Sequence, residues 1–250
     1  IWKNKQENPD LTQKYERKYP YLHLIAKPSL QEAIGHYNQQ IKNYSFLTEF
    51  EDELSNKDLW GKINKVLEAF AYKVDKKIDF YTFCLSFHKL AEHAAEALIN
   101  LAANPENRVL VVKAGAIAPL VKLLDGTDTQ KENAAGALWN LAINPENRVE
   151  IVNAGAIEPL VKLLTDGTNT QKENVAGALV SLSINPENRV EIVNAGAIAP
   201  LVKLLTDGTD TQKENAAGVL RNLALYPENR VAIVNAGAID PLVKLLDGTD

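Results

Sequence analysis

The chain has 250 residues, of which 46% are apolar and 24% are charged, and its formal net charge is −5 at pH 7. This composition excludes a disordered or collagen-like chain, and no apolar run is long enough to span a membrane. The acidic balance makes nucleic acid an unexpected partner, and the polar start, IWKNKQENPD, lacks the pattern of a secretory signal. We therefore expect a cytoplasmic protein, with the nucleus as the alternative.

The composition changes near residue 90. Residues 1–90 contain 15 of the 17 aromatic residues and carry a net charge of +2, whereas residues 91–250 carry −7. No Pro-rich or Gly/Ser-rich linker separates the two parts. We predict two units that pack continuously, an N-terminal region at 1–89 and a second unit at 90–250.

Residues 1–89 contain no internal repeat. The segments LQEAIGHYNQQIKNY, FLTEFEDEL and DLWGKINKVLEAFAYKV have the apolar spacing of helices and no internal proline. We predict an irregular helical N-terminal cap or docking region that shields the apolar edge of the unit that follows.

Two clusters in this region allow more than one interpretation. Residues 13–21, QKYERKYPY, mix basic and tyrosine side chains, which suits RNA stacking, docking to another protein, or occupation of the chain's own acidic surface. The net charge of −5 favours docking to a protein. Cys84 and His88 are four residues apart and could share a metal, but a single cysteine favours a buried thiol beside a surface histidine.

The second unit is repetitive. The string PENRV begins at residues 105, 145, 186 and 227, so the period is 40 or 41 residues. Residues 144–164 and 185–205 match at 20 of 21 positions. Such a period is typical of helical solenoids and β-propellers, and the helical spacing of the apolar residues favours the solenoid.

The unit at 144–184 predicts three helices. Asn144 before Pro145 is an N-cap followed by proline at the first helical position, and Gly155 fits the left-handed residue after a helix. A second helix has Pro159 in its first turn, where a missing N–H costs little. A longer third helix opens at Thr170–Glu173, which has the pattern of a capping box. The apolar positions with helical spacing are Ile157, Leu160, Val161, Leu164, Val175, Leu179 and Leu182.

These units resemble the armadillo repeat family. The residues that carry the resemblance are NPENRVEIVNAGAIEPLVKLL and GTNTQKENVAGALVSLS, and it extends over residues 90–250. The resemblance implies an all-α fold, a right-handed α-solenoid of three-helix repeats whose third helices line a concave groove. The predicted units, partial at both ends, are 90–103, 104–143, 144–184, 185–225 and 226–250. Because the last unit stops before its third helix, we expect that the chain continues or that a neighbouring subunit covers this end.

The groove implied by this resemblance offers side-chain amides to an extended segment. Armadillo proteins such as importin alpha use an asparagine ladder near the end of each third helix, and an amide suits this task because it both donates and accepts. The ladder aligns with Asn100, Asn140 and Asn222, and Ser181 replaces one rung. Glycine or glutamate stands where importin alpha has a tryptophan four residues earlier, so we do not predict a nuclear-import receptor.

Glutamates lie one turn further back on the third helices, each followed by an asparagine. These residues are Glu132, Glu173 and Glu214 with Asn133, Asn174 and Asn215. One interpretation is an acidic, amide-lined groove for a basic or polar extended partner. The alternative is that the glutamates close capping boxes and the asparagines lie on a solvated face. The family resemblance favours the groove.

Two residues break the repeat pattern and are candidates for specificity. Trp139 and Arg221 stand where other units have isoleucine or valine, and both types are frequent binding hot spots. Trp139 is equally consistent with packing between repeats. The arginines common to all units are more simply explained by packing between units or by carboxylate pairing. They are Arg108, Arg148, Arg189 and Arg230.

The sequence contains no glycine-rich phosphate loop, recognisable Ser/His/Asp set or metalloprotease motif, so we expect no catalytic residue, metal or cofactor. The leading hypothesis is a non-enzymatic protein–protein interaction scaffold, which binds an extended partner segment in the groove or docks as a subunit of a larger assembly. Two alternatives are the substrate-recognition region of a longer enzyme, such as an armadillo-containing ubiquitin ligase, and a bacterial or host-directed effector.

Overall fold

The computed structural model describes residues 78, 81, 82, 84, 85 and 91–246 of the chain. Contacts between residues divide the chain into two units, 1–94 and 95–250. In the first unit Ile78, Tyr81 and Cys84 have helical backbone and buried side chains. The helices predicted before residue 78, the basic segment at 13–21 and His88 lie outside the described residues.

Residues 91–246 form twelve helices, and no strand occurs among the residues that the structure describes. The order repeats a short first helix, a second helix and a longer third helix, which confirms the prediction from the sequence of one unit. The third helices are α1 (Ala91–Ala102), α4 (Asp128–Ala142), α7 (Asn169–Leu182) and α10 (Asp210–Leu223). The first helices are α2 (Pro105–Lys113), α5 (Pro145–Asn153), α8 (Pro186–Asn194) and α11 (Pro227–Asn235). The second helices are α3 (Ile117–Leu123), α6 (Ile157–Asp166), α9 (Ile198–Asp207) and α12 (Ile239–Leu246).

The first helices begin and end as their sequences predict. Asn144 has extended backbone, and its Oδ1 accepts a hydrogen bond from the Glu146 backbone N–H at 2.9 Å. Gly155 follows the end of α5 with a φ of +79°, a conformation in which a Cβ would be strained. Asn185 is the exception, because its Oδ1 accepts from Arg148 Nη1 at 3.2 Å and so links two units.

The capping box of the third helix lies two residues earlier than predicted. Thr168 is the N-cap of α7: its hydroxyl accepts from the Gln171 N–H at 3.3 Å, and Gln171 Oε1 accepts from the Thr168 N–H at 3.1 Å. Thr170 is already inside the helix, so the predicted box at Thr170–Glu173 is wrong. The physical reason is backbone geometry, since Thr168 has the extended ψ of 168° that a capping residue requires.

The core lies between the second and third helices of each unit. In the unit at 144–184 the predicted apolar residues of α6 and α7 are at most 5% exposed, which confirms that prediction. Alanines occupy many of the buried positions on the third helices, where Ala134, Ala135 and Ala137 are 0% exposed. Small side chains let the third helices of successive units pack closely.

Successive third helices are also joined by hydrogen bonds. Gln171 Nε2 donates to Asp128 O at 2.9 Å, and Gln212 Nε2 donates to Asn169 O at 2.7 Å. Gln171 and Gln212, which close the capping boxes of α7 and α10, therefore also tie these helices to the start of the preceding third helix. This repeated bond fixes the register of the helix row.

The shared arginines hold the end of one unit to the start of the next. Arg148 Nε donates to Ala142 O at 2.9 Å and Nη2 donates to Ile143 O at 3.2 Å, carbonyls at the end of α4. Arg189 repeats this at Ser183 O. Burial lowers the pKa of the Arg148 guanidinium from its usual value. The packing interpretation is confirmed, and none of these arginines pairs with a carboxylate within residues 91–246.

Candidate interaction surface

The row of third helices presents one partly exposed stripe, which we name the third-helix surface. On α4 it comprises Glu132, Trp139 and Asn140, all half-buried. The first two positions continue on α7 and α10, whereas Ser181 and Asn222, at the position of Asn140, are buried. The opposite side of each helix is buried against the first and second helices. The surface therefore contains the residues that the sequence nominates for binding.

The two N-terminal rungs of the predicted ladder are the accessible ones. Asn100 is exposed and makes no hydrogen bond within the described residues. Asn140 is half-buried, and its Nδ2 donates to Ile99 O of the preceding third helix at 3.1 Å. This bond uses one of the two N–H groups of Asn140, so the second N–H and Oδ1 can still reach a ligand.

The two C-terminal rungs are engaged inside the protein. Ser181 is 8% exposed, and its hydroxyl donates to Gly177 O at 3.3 Å. Asn222 is 7% exposed; its Nδ2 donates to Val180 O at 3.3 Å and Ser183 Oγ at 3.0 Å. Its Oδ1 accepts from Arg221 Nη2 at 3.4 Å. A ligand would have to displace these bonds to use Asn222.

The asparagines that follow the glutamates differ in their hydrogen bonds: one joins two third helices, and another has a buried amide nitrogen without a partner among the described residues. Asn174 Nδ2 donates to Glu132 O of the preceding third helix at 3.1 Å, so Asn174 helps to stack the units. Asn133 and Asn215 are half-buried. Asn215 Nδ2 is buried and has no hydrogen-bond partner among the described residues. The solvated-face interpretation therefore does not fit Asn174.

The glutamates of the surface close no capping box, because glutamine occupies the required position in all three complete third helices. That part of the alternative interpretation is wrong. Glu132 and Glu173 are half-buried and Glu214 is exposed. Within residues 91–246 none of the three carboxylates makes an ion pair, whereas Lys131 pairs with Asp128 at 3.7 Å.

Glycines on the surface form slots that side chains of neighbouring third helices occupy. A Cβ built on Gly177 would lie 2.6 Å from Trp139 Cδ2 and 2.7 Å from Cζ2, so the indole lies flat against the glycine. A Cβ built on Gly136 would lie 3.3 Å from Ile99 Cδ1 of the preceding third helix and 3.3 Å from Asn174 Nδ2 of the following one. Trp139 therefore packs between units, and it remains half-exposed. The feature of the sequence that indicates this packing is the recurrence of glycine at one position in the middle of the third helices.

Arg221 lines a cavity at the C-terminal end of the third-helix surface. The cavity has a volume of about 620 Å³ and is also lined by Asp210, Glu214, Ala217 and Leu245. Ala217 is partly exposed, whereas its counterparts Ala135 and Ala176 are 0% exposed. No further helix covers this side of α10 within the described residues.

The second helix of the last unit is likewise uncovered. Ile239, Val243 and Leu246 of α12 are 50%, 50% and 85% exposed. Their counterparts on α9, Ile198, Val202 and Leu205, are 8%, 9% and 2% exposed. We call this uncovered side of α10 and α12 the end face. Its apolar exposure matches the uncovered edge that the sequence predicts.

Other sites in the described residues are few. Cys84 is buried, and burial raises the pKa of its thiol, which keeps it protonated and unreactive. No group of three His, Cys, Asp or Glu side chains among these residues is arranged to hold a metal ion. None of the described helices combines the length and apolar character needed to cross a bilayer.

Comparison with known proteins identifies the family. The model of the armadillo/beta-catenin-like repeat matches residues 104–143, 144–184 and 185–225. A search of curated protein sequences gave no match. Among solved structures, a computationally designed armadillo repeat protein for modular peptide recognition is 34% identical, with a TM-score of 0.64, over 69% of this chain and 76% of that chain.

Two further designed proteins match almost the whole chain. The designed armadillo repeat protein YIII(Dq)4CqI is 30% identical, with a TM-score of 0.65 over 91% of both chains. The designed armadillo repeat protein YIII(Dq.V1)4CPAF, solved in complex with the peptide (KR)4, is 28% identical, with a TM-score of 0.64 over 91% of both chains. With its helices stacked as an all-α solenoid, the chain belongs to the armadillo repeat family.

Proposed function

We propose that the chain is a protein-interaction scaffold whose third-helix surface binds an extended basic or polar peptide segment. Two of the designed neighbours support a peptide ligand, since one is described as made for modular peptide recognition and another was solved with the peptide (KR)4. The similarity supports the class of ligand, and the residues of this chain support its chemistry.

The amides of Asn100 and Asn140 are suited to hold peptide backbone. An extended segment leaves its backbone N–H and C=O groups without partners, and docking removes the water that would otherwise satisfy them. Asn140 keeps an N–H and Oδ1 after its bond to Ile99 O, and Asn100 keeps its whole carboxamide. We propose these two neighbouring rungs as the backbone contacts.

The charge preference is proposed from the carboxylates of Glu132, Glu173 and Glu214. These side chains recur once per unit on the partly exposed stripe and make no ion pair within residues 91–246. Unpaired carboxylates in a row create a negative potential that attracts lysine and arginine. This row is the observation that carries the proposal.

Fluorescence anisotropy of a labelled (KR)4 peptide tests it. The variant with Glu132→Gln and Glu173→Gln removes two charges while it keeps the size of both side chains. We expect the Kd to rise about tenfold, because each exposed ion pair contributes up to about 1 kcal/mol. Raising the salt concentration should weaken the wild-type complex more than the variant complex.

The matched control removes two exposed carboxylates from first helices, with Glu150→Gln and Glu191→Gln. It has the same net charge as the test variant, so a non-specific charge effect would appear in both. Equal Kd values for the two variants, or no binding of (KR)4 to the wild-type chain, would contradict the proposal.

The end face supports a second role, as a docking site within a larger assembly. We propose that it binds a third helix of armadillo type, which either a continuation of the chain or a neighbouring subunit supplies. Within the chain, α6 and α9 pack against the third helix of their own unit, and α12 has the same apolar face without such a helix. On α4 and α7, Asp128 O and Asn169 O accept a hydrogen bond from the glutamine of the next third helix. The equivalent carbonyl on α10, Asp210 O, has no such glutamine partner within the described residues. Binding of a peptide with the sequence of α10 tests this role.

A further inference from the structure

Exposed apolar side chains recur on the first helices of the array. Outside α12, every large apolar side chain that is exposed within the described residues lies on a first helix or in the two residues before one. Around α5 and α8 these residues are 42–54% exposed, and they are Ile143, Val149, Ile184 and Val190. Both helices have a further first helix on either side in the row, so this exposure does not arise from an end of the array. Apolar side chains exposed in a row are typical of an interaction site.

Hydrogen bonds fix the isoleucine that precedes each of these helices. Arg148 Nη2 donates to Ile143 O at 3.2 Å, and Arg189 Nη2 donates to Ile184 O at 2.8 Å. Both arginines are buried, so these bonds are shielded from water. In α5 the exposed Val149 directly follows Arg148, and α8 repeats this order. The isoleucine and the valine therefore lie at the same end of their helix, and the backbone that carries them is held in place.

The exposed charged side chains of α5 and α8 are carboxylates. Each helix has two exposed glutamates, which make no ion pair within residues 91–246: Glu146, Glu150, Glu187 and Glu191. Glu146 and Glu187 lie three residues before the exposed valine of their helix and are its neighbours on the helix surface. Apolar contact and negative charge are thus combined at one place. We call it the first-helix surface, which comprises Ile143, Glu146, Val149, Ile184, Glu187 and Val190.

The spacing along the first-helix surface matches the repeat of an amphipathic helix. Equivalent helices of successive units lie about 8–10 Å apart. A helix rises 1.5 Å per residue, so seven residues advance about 10.5 Å, and residues seven apart lie on the same face. A helix laid along the row can therefore place apolar residues of two successive heptads against Val149 and Val190. Its flanking residues then meet Glu146 and Glu187, which attract lysine and arginine.

We propose that the first-helix surface binds an amphipathic helix of a partner protein. The helix has apolar residues repeated every seven positions and lysine or arginine on both flanks. Its backbone groups are paired within the helix, so it needs only apolar contact and opposite charge from the surface. This surface shares no residue with the third-helix surface, and the inference does not depend on peptide binding there.

A labelled 21-residue peptide with three copies of LKALKKA is the probe. Its leucines form one apolar stripe with lysines on both sides, and fluorescence anisotropy measures its Kd for the full chain. The test variant combines Val149→Thr with Val190→Thr, which keeps the shape of two exposed side chains and replaces a methyl group of each by a hydroxyl. We expect the Kd to rise about tenfold because apolar contact is lost at both positions. Circular dichroism checks that the variant is folded.

A second pair of variants tests the charge preference. The variant with Glu146→Gln and Glu187→Gln should bind the probe about three- to tenfold more weakly, because two exposed charge pairs are lost. The matched control, with Glu158→Gln and Asp207→Asn, removes two exposed carboxylates from second helices and should bind as the wild type does. A peptide of the same composition, with its leucines distributed over all faces of the helix, should bind about tenfold more weakly than the probe.

Four outcomes would overturn the proposal. The valine variant could bind the probe as tightly as the wild type, the rearranged peptide could bind as tightly as the probe, or both charge variants could lose the same affinity. A second copy of the chain is the alternative occupant, and sedimentation velocity detects it. A wild-type dimer that Val149→Thr with Val190→Thr dissociates, together with no binding of the probe, would assign the surface to self-association instead of a partner helix.

Discussion

The contact between Gly177 and Trp139 shows how one residue of this chain constrains another 38 positions away. The indole occupies the space of the missing Cβ, with ring atoms 2.6 and 2.7 Å from where that Cβ would lie. Glycine lowers the stability of a helix interior by about 1 kcal/mol relative to alanine. Gly177 therefore lies inside α7 despite its low helix propensity, and the steric requirement comes from the neighbouring unit.

We predict that Gly177→Ala destabilises the chain by about 1–3 kcal/mol, because the new methyl group forces the indole out of its position. In the Trp139→Val background the same substitution should be nearly neutral, since the smaller side chain leaves room and alanine favours the helix. Urea denaturation of the four members of this double-mutant cycle measures the coupling. An equal cost of Gly177→Ala in both backgrounds would contradict the contact as its cause.

At the scale of the helix, the chain marks its helix ends by local hydrogen bonds. Thr127, Thr168 and Thr209 each cap a third helix and exchange hydrogen bonds with a glutamine three residues later. The same glutamines at 171 and 212 donate their Nε2 to the preceding third helix. One side chain thus stabilises both the start of a helix and its contact with the neighbouring unit.

Two threonines on either side of Asn169 allow a direct test of where the cap lies. We predict that Thr168→Ala lowers the free energy of unfolding by about 1 kcal/mol, the usual cost of losing an N-cap side chain. Thr170→Ala should lower it by much less, because Thr170 lies exposed inside α7 and makes no cap there. Thermal or urea denaturation compares the two variants, and an equal loss for both would show that Thr168 is not the cap.

The features that the sequence predicts well are those encoded within a few residues. Asn144 before Pro145, and Gly155 after α5, mark helix ends through local backbone chemistry, so the helix order could be predicted from one unit. The exact start of the third helix could not be predicted, because Thr168 and Thr170 are both suitable N-caps by residue type. The extended backbone of Thr168 identifies it as the cap. The slots could not be predicted from the sequence either, since the contact of Trp139 with Gly177 depends on how two units stack.

The candidate site shows the same division. The glutamates and asparagines could be placed on one stripe from helical spacing alone. Which amides are accessible could not be predicted, because Asn222 is closed by Val180 O and Ser183 Oγ of another unit. Accessibility in a repeat array depends on contacts between units, and equivalent positions in successive units therefore differ in accessibility.

At the scale of the whole second unit, stability is distributed along the row of helices. In a repeat array each unit is stabilised mainly by its immediate neighbours, so the free energy of unfolding is approximately a sum over units and interfaces. No residue of α12 is buried, whereas five residues of α9 are buried. The end face should therefore be the region of the array that opens most readily.

We predict that a peptide with the sequence TDTQKENAAGVLRNLAL, residues 209–225, binds the end face as an added third helix. It should slow amide hydrogen exchange in α12 and raise the midpoint of thermal unfolding with increasing peptide concentration, because it binds only the folded chain. A control peptide has alanine in place of Gln212 and Asn222 and valine in place of Gly218, which removes the donors that join third helices and fills the slot. If both peptides protect α12 equally, or neither does, docking of an armadillo-type third helix at the end face is contradicted.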